Sequence, residues 1–103
     1  MRVLQLAPGV QATAGAASGT IAIPDDSAGN RAKLVLIRVI TVSEMAVVRP
    51  VTSAGGTVTT ANGIPVIDNH EGTLLWVAGY SHIAHIRGRS NNCVFNITPV
   101  ENY

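Results

Sequence analysis

The high share of β-branched residues is the feature that most constrains this chain. Val, Ile and Thr number 13, 9 and 9, so 31 of the 103 residues branch at Cβ. Such side chains are stiff about χ1 and fit the pleated surface of a strand better than a helix. Residues that favour helices are scarce, with one Lys, three Glu, two Gln and six Leu. The chain is therefore expected to fold into β-strands.

Glycine and proline divide these apolar stretches into short pieces. Ten Gly and five Pro recur at short intervals, which is typical of short strands joined by turns. The pattern predicts seven to nine strands, with candidate segments at residues 3–6, 20–23, 31–42, 45–51, 57–60, 64–67, 73–78, 82–86 and 93–100, of which 57–60 is short and polar. Asn62-Gly63 gives the strongest turn signal. We predict an all-β fold, a small antiparallel β-sandwich or barrel of jelly-roll-like form.

The N-terminal region differs in composition from the rest. Residues 7–19 read APGVQATAGAASG, a run of small side chains with little to bury. Such a run predicts an extended N-terminal arm. The predicted organisation is therefore an N-terminal strand and small-residue arm at residues 1–19, followed by a single β domain at residues 20–103.

The charge balance limits the classes of partner that this chain is expected to bind. The net charge is +1 and only 13% of residues are charged, so no strong attraction to nucleic acid or to an anionic membrane is expected. With four aromatic residues in the chain, a surface for stacking bases is not expected either. The longest apolar-rich run, residues 34–42, is nine residues long and contains Arg38, so we expect no membrane-spanning helix.

The chemistry-bearing side chains do not form a recognisable catalytic motif. His82 and His85 are three residues apart in a predicted strand, so they are expected on opposite faces, where they cannot share a metal ion. Cys93 is the only cysteine, which excludes an internal disulfide, and at a strand start it is expected to be a buried, inert thiol. We predict no catalytic residue, no metal and no cofactor, and hence no enzyme.

One acidic turn keeps an alternative open. Asp68 and Glu71 flank His70 in a predicted turn. The favoured interpretation is a solvated turn, and a hydrolytic pair of carboxylates is the alternative.

The strand predicted at residues 31–42 has two largely apolar faces, one more than a single core requires. One face packs in the core, and the other is covered by the N-terminal arm or by another chain. The predicted interface residues are Leu34, Leu36, Arg38 and Ile40, with Arg87 and Arg89 as further candidates. The surplus of apolar surface predicts a homo-oligomer, with a trimer preferred to a dimer.

Two aromatic residues suggest a function of a different class. Trp76 lies between Leu75 and Val77 in a predicted strand, so it is expected in the core. Tyr80 falls in a predicted turn and is the better platform for stacking a sugar ring. A carbohydrate-binding β-sandwich module is therefore an alternative hypothesis.

Four segments of the C-terminal two-thirds carry a family resemblance. They read RPV at 49–51, ANGIPV at 61–66, GYSHIAHI at 79–86 and NITPVE at 96–101. Over residues 45–102 they resemble small virion proteins of tailed bacteriophages. Those proteins combine an N/A-G-x-P-V turn, a G-x-x-H-I-A-x-I strand and a final V-T-P-V/L-E strand.

The resemblance implies a structural role without catalytic residues. Such proteins are small β-sandwich or barrel domains in capsid decoration, cement, neck or tail positions. It implies a decoration or cement protein on the capsid exterior that binds the major capsid protein and bridges its subunits. A neck, tail or fibre-associated component is the alternative within the same class.

Overall fold

The computed structural model describes residues 5–69 and 71–101 of the chain. The described residues form eight strands: β1 (Val10–Ala14), β2 (Gly19–Ala22), β3 (Leu34–Val39), β4 (Met45–Val51), β5 (Ile64–Ile67), β6 (Thr73–Trp76), β7 (His82–Arg87) and β8 (Cys93–Pro99). This part of the chain contains no helix that is long and apolar enough to cross a membrane.

The strands form two four-stranded antiparallel sheets. The first sheet has the order β1-β8-β3-β6, and the second has the order β2-β7-β4-β5. Eight strands divided in this way between two packed sheets make a jelly-roll sandwich. The predicted fold class is therefore confirmed.

The core lies between the sheets and is built from small aliphatic side chains around one aromatic ring. β8 alternates buried and half-buried residues along its whole length, as expected for a strand with one face in the core. Its Phe95 is fully buried, and Ile37 of β3 and Ile83 of β7 are buried in the same cluster.

The strand predicted at residues 31–42 is shorter in the structure and ends at Val39. Beyond this point the chain turns, because Ser43 has a positive φ of 64° and Thr41 Oγ1 accepts a hydrogen bond from the Val94 amide at 2.9 Å. Ile40 of the predicted interface set therefore lies outside β3.

The predicted N-terminal arm is partly a strand of the sandwich. Residues 10–14 form β1 and pair with β8, with Ala14 opposite Cys93 and Ala12 opposite Phe95. The small side chains of this stretch fit beside Phe95, and Ala14 is fully buried. Of the strand predicted at residues 3–6, residues 3 and 4 lie outside the described residues, and Leu6 forms an isolated bridge with Val100.

The predicted strand at residues 57–60 is a loop instead. Residues 52–63, which we call the cover loop, lie on the outer face of the second sheet. Val58 of this loop is buried against Val47, Val51 and Ala84. The turn predicted at Asn62-Gly63 is present at its end.

Two side chains from the start of the second sheet hold the cover loop in place. Thr20 Oγ1 donates a hydrogen bond to the Ala54 carbonyl at 2.8 Å. Ser18 Oγ accepts one from the Val58 amide at 3.0 Å. The loop is therefore both packed and hydrogen-bonded against its own sheet.

Candidate docking surface on the first sheet

The outer face of the first sheet carries large apolar side chains, two of which remain about half exposed. In the register of β3 and β6, Leu34 lies opposite Trp76 and Leu36 lies opposite Leu74. Trp76 is 55% exposed and Leu74 is 51% exposed. We call the surface formed by these four residues the uncovered face.

The neighbourhood of the uncovered face is apolar on one side and polar on the other. Leu6, itself exposed, pairs with the buried Val100 beside β3. Toward β8 and β1, the outer face continues through paired polar side chains, with Asn96 opposite Gln11. The apolar part is thus confined to one corner of the sheet, as at a binding site with a polar rim.

Leu36 is the best shielded member of the uncovered face. It is buried, and the turn that precedes β6 lies against it: a Cβ on Gly72 would lie 2.9 Å from Leu36 Cδ1 and 2.7 Å from Arg38 Cγ. Gly72 also has a positive φ of 75°. The turn therefore shields Leu36, while Trp76 and Leu74 form the accessible part of the uncovered face.

The structure brings three of the predicted interface residues together. Leu34, Leu36 and Arg38 share the outer face of β3, and Arg38 is exposed at its edge. Ile40 is exposed beyond the end of the strand. The pattern of alternation along residues 34–38 was sufficient to predict this side of the surface.

Arg87 and Arg89 lie elsewhere, near the turn between β3 and β4. Arg87 Nη1 donates to Asn92 Oδ1 at 3.3 Å, and Arg89 Nη1 donates to the Ser43 carbonyl at 2.5 Å. Both side chains thus hold turns at that end of the sandwich. They are not part of the uncovered face.

The prediction that Trp76 lies in the core is wrong. Its neighbours Leu75 and Val77 both turn inward, and Val77 is fully buried. Because side chains alternate along a strand, Trp76 between them must point outward. The two-residue period of β6 was the signal that could have assigned Trp76 and Leu74 to the surface.

The two described histidines lie on opposite faces of β7, as predicted. His85 is buried in the core, edge-on to Phe95 at a ring distance of 5.3 Å. Its Nδ1 has no hydrogen-bond partner, and burial lowers its pKa. His82 is half-buried, and its Nδ1 lies 2.7 Å from Ser81 Oγ.

Cys93 is a buried thiol, as predicted. Burial is the main cause that raises its pKa to about 11, and the carboxylates of Glu44 and Asp68 add to the effect. At neutral pH it is therefore protonated and a poor nucleophile.

The acidic turn is described only in part. His70 lies outside the described residues, so the predicted arrangement around it has no structural account. Asp68 Oδ2 accepts a hydrogen bond from the Ser43 amide at 2.8 Å, and Glu71 is exposed. Within residues 5–69 and 71–101, no group of three or more His, Cys, Asp or Glu side chains is placed to hold a metal ion.

Comparison of the chain with protein-family models, with curated proteins and with solved structures gave no match.

Proposed function

We propose that this protein is a structural component of a bacteriophage virion, a capsid decoration or cement protein without enzymatic activity. The observation that supports the proposal is the uncovered face, where Trp76 and Leu74 are each about half exposed. A small soluble domain seldom leaves such side chains grouped on one sheet unless another molecule covers them. The jelly roll is an architecture of viral capsid proteins among others, and the resemblance of residues 45–102 points to the same class.

In this proposal the uncovered face binds the major capsid protein on the outside of the shell. Trp76 supplies the large flat anchor that dominates the energy of many protein interfaces. Trp76 is carried on a strand that is paired with β3, so little backbone ordering is required on binding. Bridging adjacent subunits in this way resists the outward pressure of the packaged DNA.

Self-association completes the proposed arrangement. The protein acts as a homo-oligomer, preferably a trimer, so that several uncovered faces engage the symmetric shell together. Linked binding sites strengthen attachment without any new contact. Since β1 belongs to the first sheet, attachment in this proposal depends on the sandwich rather than on a free arm.

The copy number of the protein in purified particles tests the virion role. Quantitative mass spectrometry against the major shell protein is expected to give a near-stoichiometric ratio. A few to a dozen copies would move the protein to the neck, tail or fibres. Its absence from particles would overturn the virion role.

A matched pair of double variants tests the surface. L74T/W76T removes the two accessible apolar side chains from the uncovered face. I64T/I67T replaces two residues of β5 that are 42% and 47% exposed and lie on opposite faces of that strand. Both pairs lie on edge strands, and Thr preserves the strand preference. We expect L74T/W76T to weaken co-sedimentation with shells lacking the protein by about 30-fold or more, and I64T/I67T to change it by less than about threefold. Equal losses in the two variants would show that the uncovered face is not the attachment site.

A further inference from the structure

A cleft at the edge of the second sheet combines opposite charges with an aromatic ring. It has a volume of about 470 Å³, within the range of about 300–1,000 Å³ usual for small-molecule sites. It lies where β2 ends and β7 begins. The side chains that give the cleft its chemistry are Asp25, Arg31, Tyr80, Ser81 and His82, with Ile23 as an apolar wall.

One wall of the cleft is a loop that is closed on itself. Asp26 Oδ1 accepts hydrogen bonds from the amides of Ala28 at 3.0 Å and Asn30 at 2.9 Å. The Asp26 amide donates to the Asn30 carbonyl at 2.9 Å. These bonds fix the backbone between Asp25 and Arg31, both of which line the cleft.

The opposite wall is fixed in the same way by the turn between β6 and β7. The Tyr80 amide donates to the Val77 carbonyl at 3.0 Å, and the Ile23 amide donates to the Ser81 carbonyl, also at 3.0 Å. The second bond ties the two walls together. Because the cleft is formed in advance, a ligand loses less binding energy to ordering the protein.

The polar groups of the cleft include both donors and acceptors. The Asp25 carboxylate only accepts hydrogen bonds, and the Arg31 guanidinium only donates them. Ser81 Oγ lies 2.7 Å from His82 Nδ1. With the hydroxyl as donor, Nε2 of the ring carries the proton and is a further donor.

This combination selects a neutral ligand with several hydroxyl groups. A hydroxyl both donates and accepts, so neighbouring hydroxyls satisfy a carboxylate and a guanidinium at once. An inorganic anion would be attracted by Arg31 and repelled by Asp25, and an apolar ligand would bury both charges without a partner.

Tyr80 provides the aromatic ring against which a sugar can stack. It is 39% exposed, so part of its ring is available to a ligand. The ring combines an apolar surface with a polar hydroxyl, which suits a pyranose that presents C–H groups on one side and hydroxyls around its edge. We propose that this cleft binds a neutral hexose, free or as a unit of a glycan.

The site is independent of the uncovered face. Trp76 lies on the outer face of the first sheet, whereas Ala22 and His82 of the cleft belong to the second sheet. The sugar site and attachment to a shell can therefore each fail without the other.

Titration of the ¹⁵N-labelled protein with glucose, galactose, mannose and N-acetylglucosamine, followed by NMR, tests the proposal. We expect at least one hexose to shift the amides of residues 25–31 and 79–82 with a dissociation constant of about 1–10 mM. Inorganic phosphate in a parallel titration is expected to leave them unmoved. Shifts with phosphate but with none of the sugars would overturn the proposal, as would the absence of shifts with all four sugars at about ten times that concentration.

Three variants separate the cleft from general effects. D25N keeps the shape of the exposed side chain and removes its charge, and Y80A removes the ring. Each is expected to weaken hexose binding by about tenfold. W76A truncates the other exposed aromatic residue and is expected to leave binding within about twofold. If D25N binds hexose as well as the unaltered protein, or if W76A loses as much as Y80A, the sugar is not held in this cleft.

Discussion

The outer faces of the two sheets differ in how far the chain itself covers them. On the second sheet, the cover loop buries Val58 against Val47, Val51 and Ala84 in a cluster separate from the main core. On the first sheet, Leu74 and Trp76 remain about half exposed. Both faces are apolar in sequence, but on the first sheet the turn at Gly72 lies only against Leu36 and Arg38 and leaves the other two side chains accessible.

This difference distinguishes apolar surface that stabilises the fold from apolar surface that is available for binding. A face that the chain covers itself contributes to folding, because burial removes its side chains from water in every molecule. A face left open contributes little to folding and retains that free energy for association. Substitutions on the covered face are therefore expected to alter stability, and substitutions on the uncovered face to alter binding.

The largest expected effect comes from placing one carboxylate on each face. V58D introduces a charge beneath the cover loop, where Val58 is 2% exposed, and we expect it to lower the free energy of unfolding by about 4 kcal/mol. L74D places the same group on the uncovered face and is expected to cost about 1 kcal/mol. Urea denaturation of both variants measures the contrast. A V58D protein as stable as L74D would mean that the cover loop adds nothing to folding.

Substitutions at two glycines test the packing of the turn that lies against the uncovered face. Gly72 and Gly79 both have positive φ, but a Cβ on Gly72 would also lie 2.9 Å from the Ile37 carbonyl oxygen, whereas nothing lies within 4 Å at Gly79. We expect G79A to cost about 1 kcal/mol for backbone strain alone and G72A about 2–3 kcal/mol, because the turn must also move. Thermal unfolding distinguishes them, and equal costs would contradict close packing of this turn on β3.

The pH dependence of stability is expected to depend on His85, which lies in the core between the two sheets rather than on an outer face. Burial lowers the pKa of His85 below its ordinary value of 6.5, so the unfolded chain binds more protons than the folded one just below that pH. This contribution to stability is fully present above pH 6.5 and is lost as the pH falls toward the folded-state pKa, by up to about 1.4 kcal/mol per pH unit. Urea denaturation at pH 7.5 and at pH 5.5 measures the loss, which H85L is expected to reduce. An unchanged pH dependence in H85L would assign the loss to other groups.

Local patterns were sufficient to predict most of the fold. The strands β4 and β5 match their predicted bounds, and the turn at Asn62-Gly63 was predicted from a dipeptide. Alternation along β3 also identified Leu34, Leu36 and Arg38 as one face. These features depend on side-chain period and turn chemistry, which are properties of neighbouring residues.

Other features depend on segments far apart in the chain. β1 was predicted as part of an extended arm because its small residues have little to bury, but its pairing with β8 joins residues 79 to 87 positions apart. The cleft likewise combines Tyr80, predicted as a sugar platform, with Asp25 and Arg31 from a distant loop. No local pattern contains that juxtaposition.

The amino-acid pattern is enough to establish that this chain is an all-β domain with more apolar strand faces than one core can bury. Which of these faces is covered depends on contacts between segments that are distant in the chain. The alternation of β3 and of β4 presents two apolar faces in each case, and neither strand specifies its cover. The cover loop makes the difference between the two sheets. Thr20 and Ser18 anchor this loop to the second sheet, so that its Val58 packs against Val47.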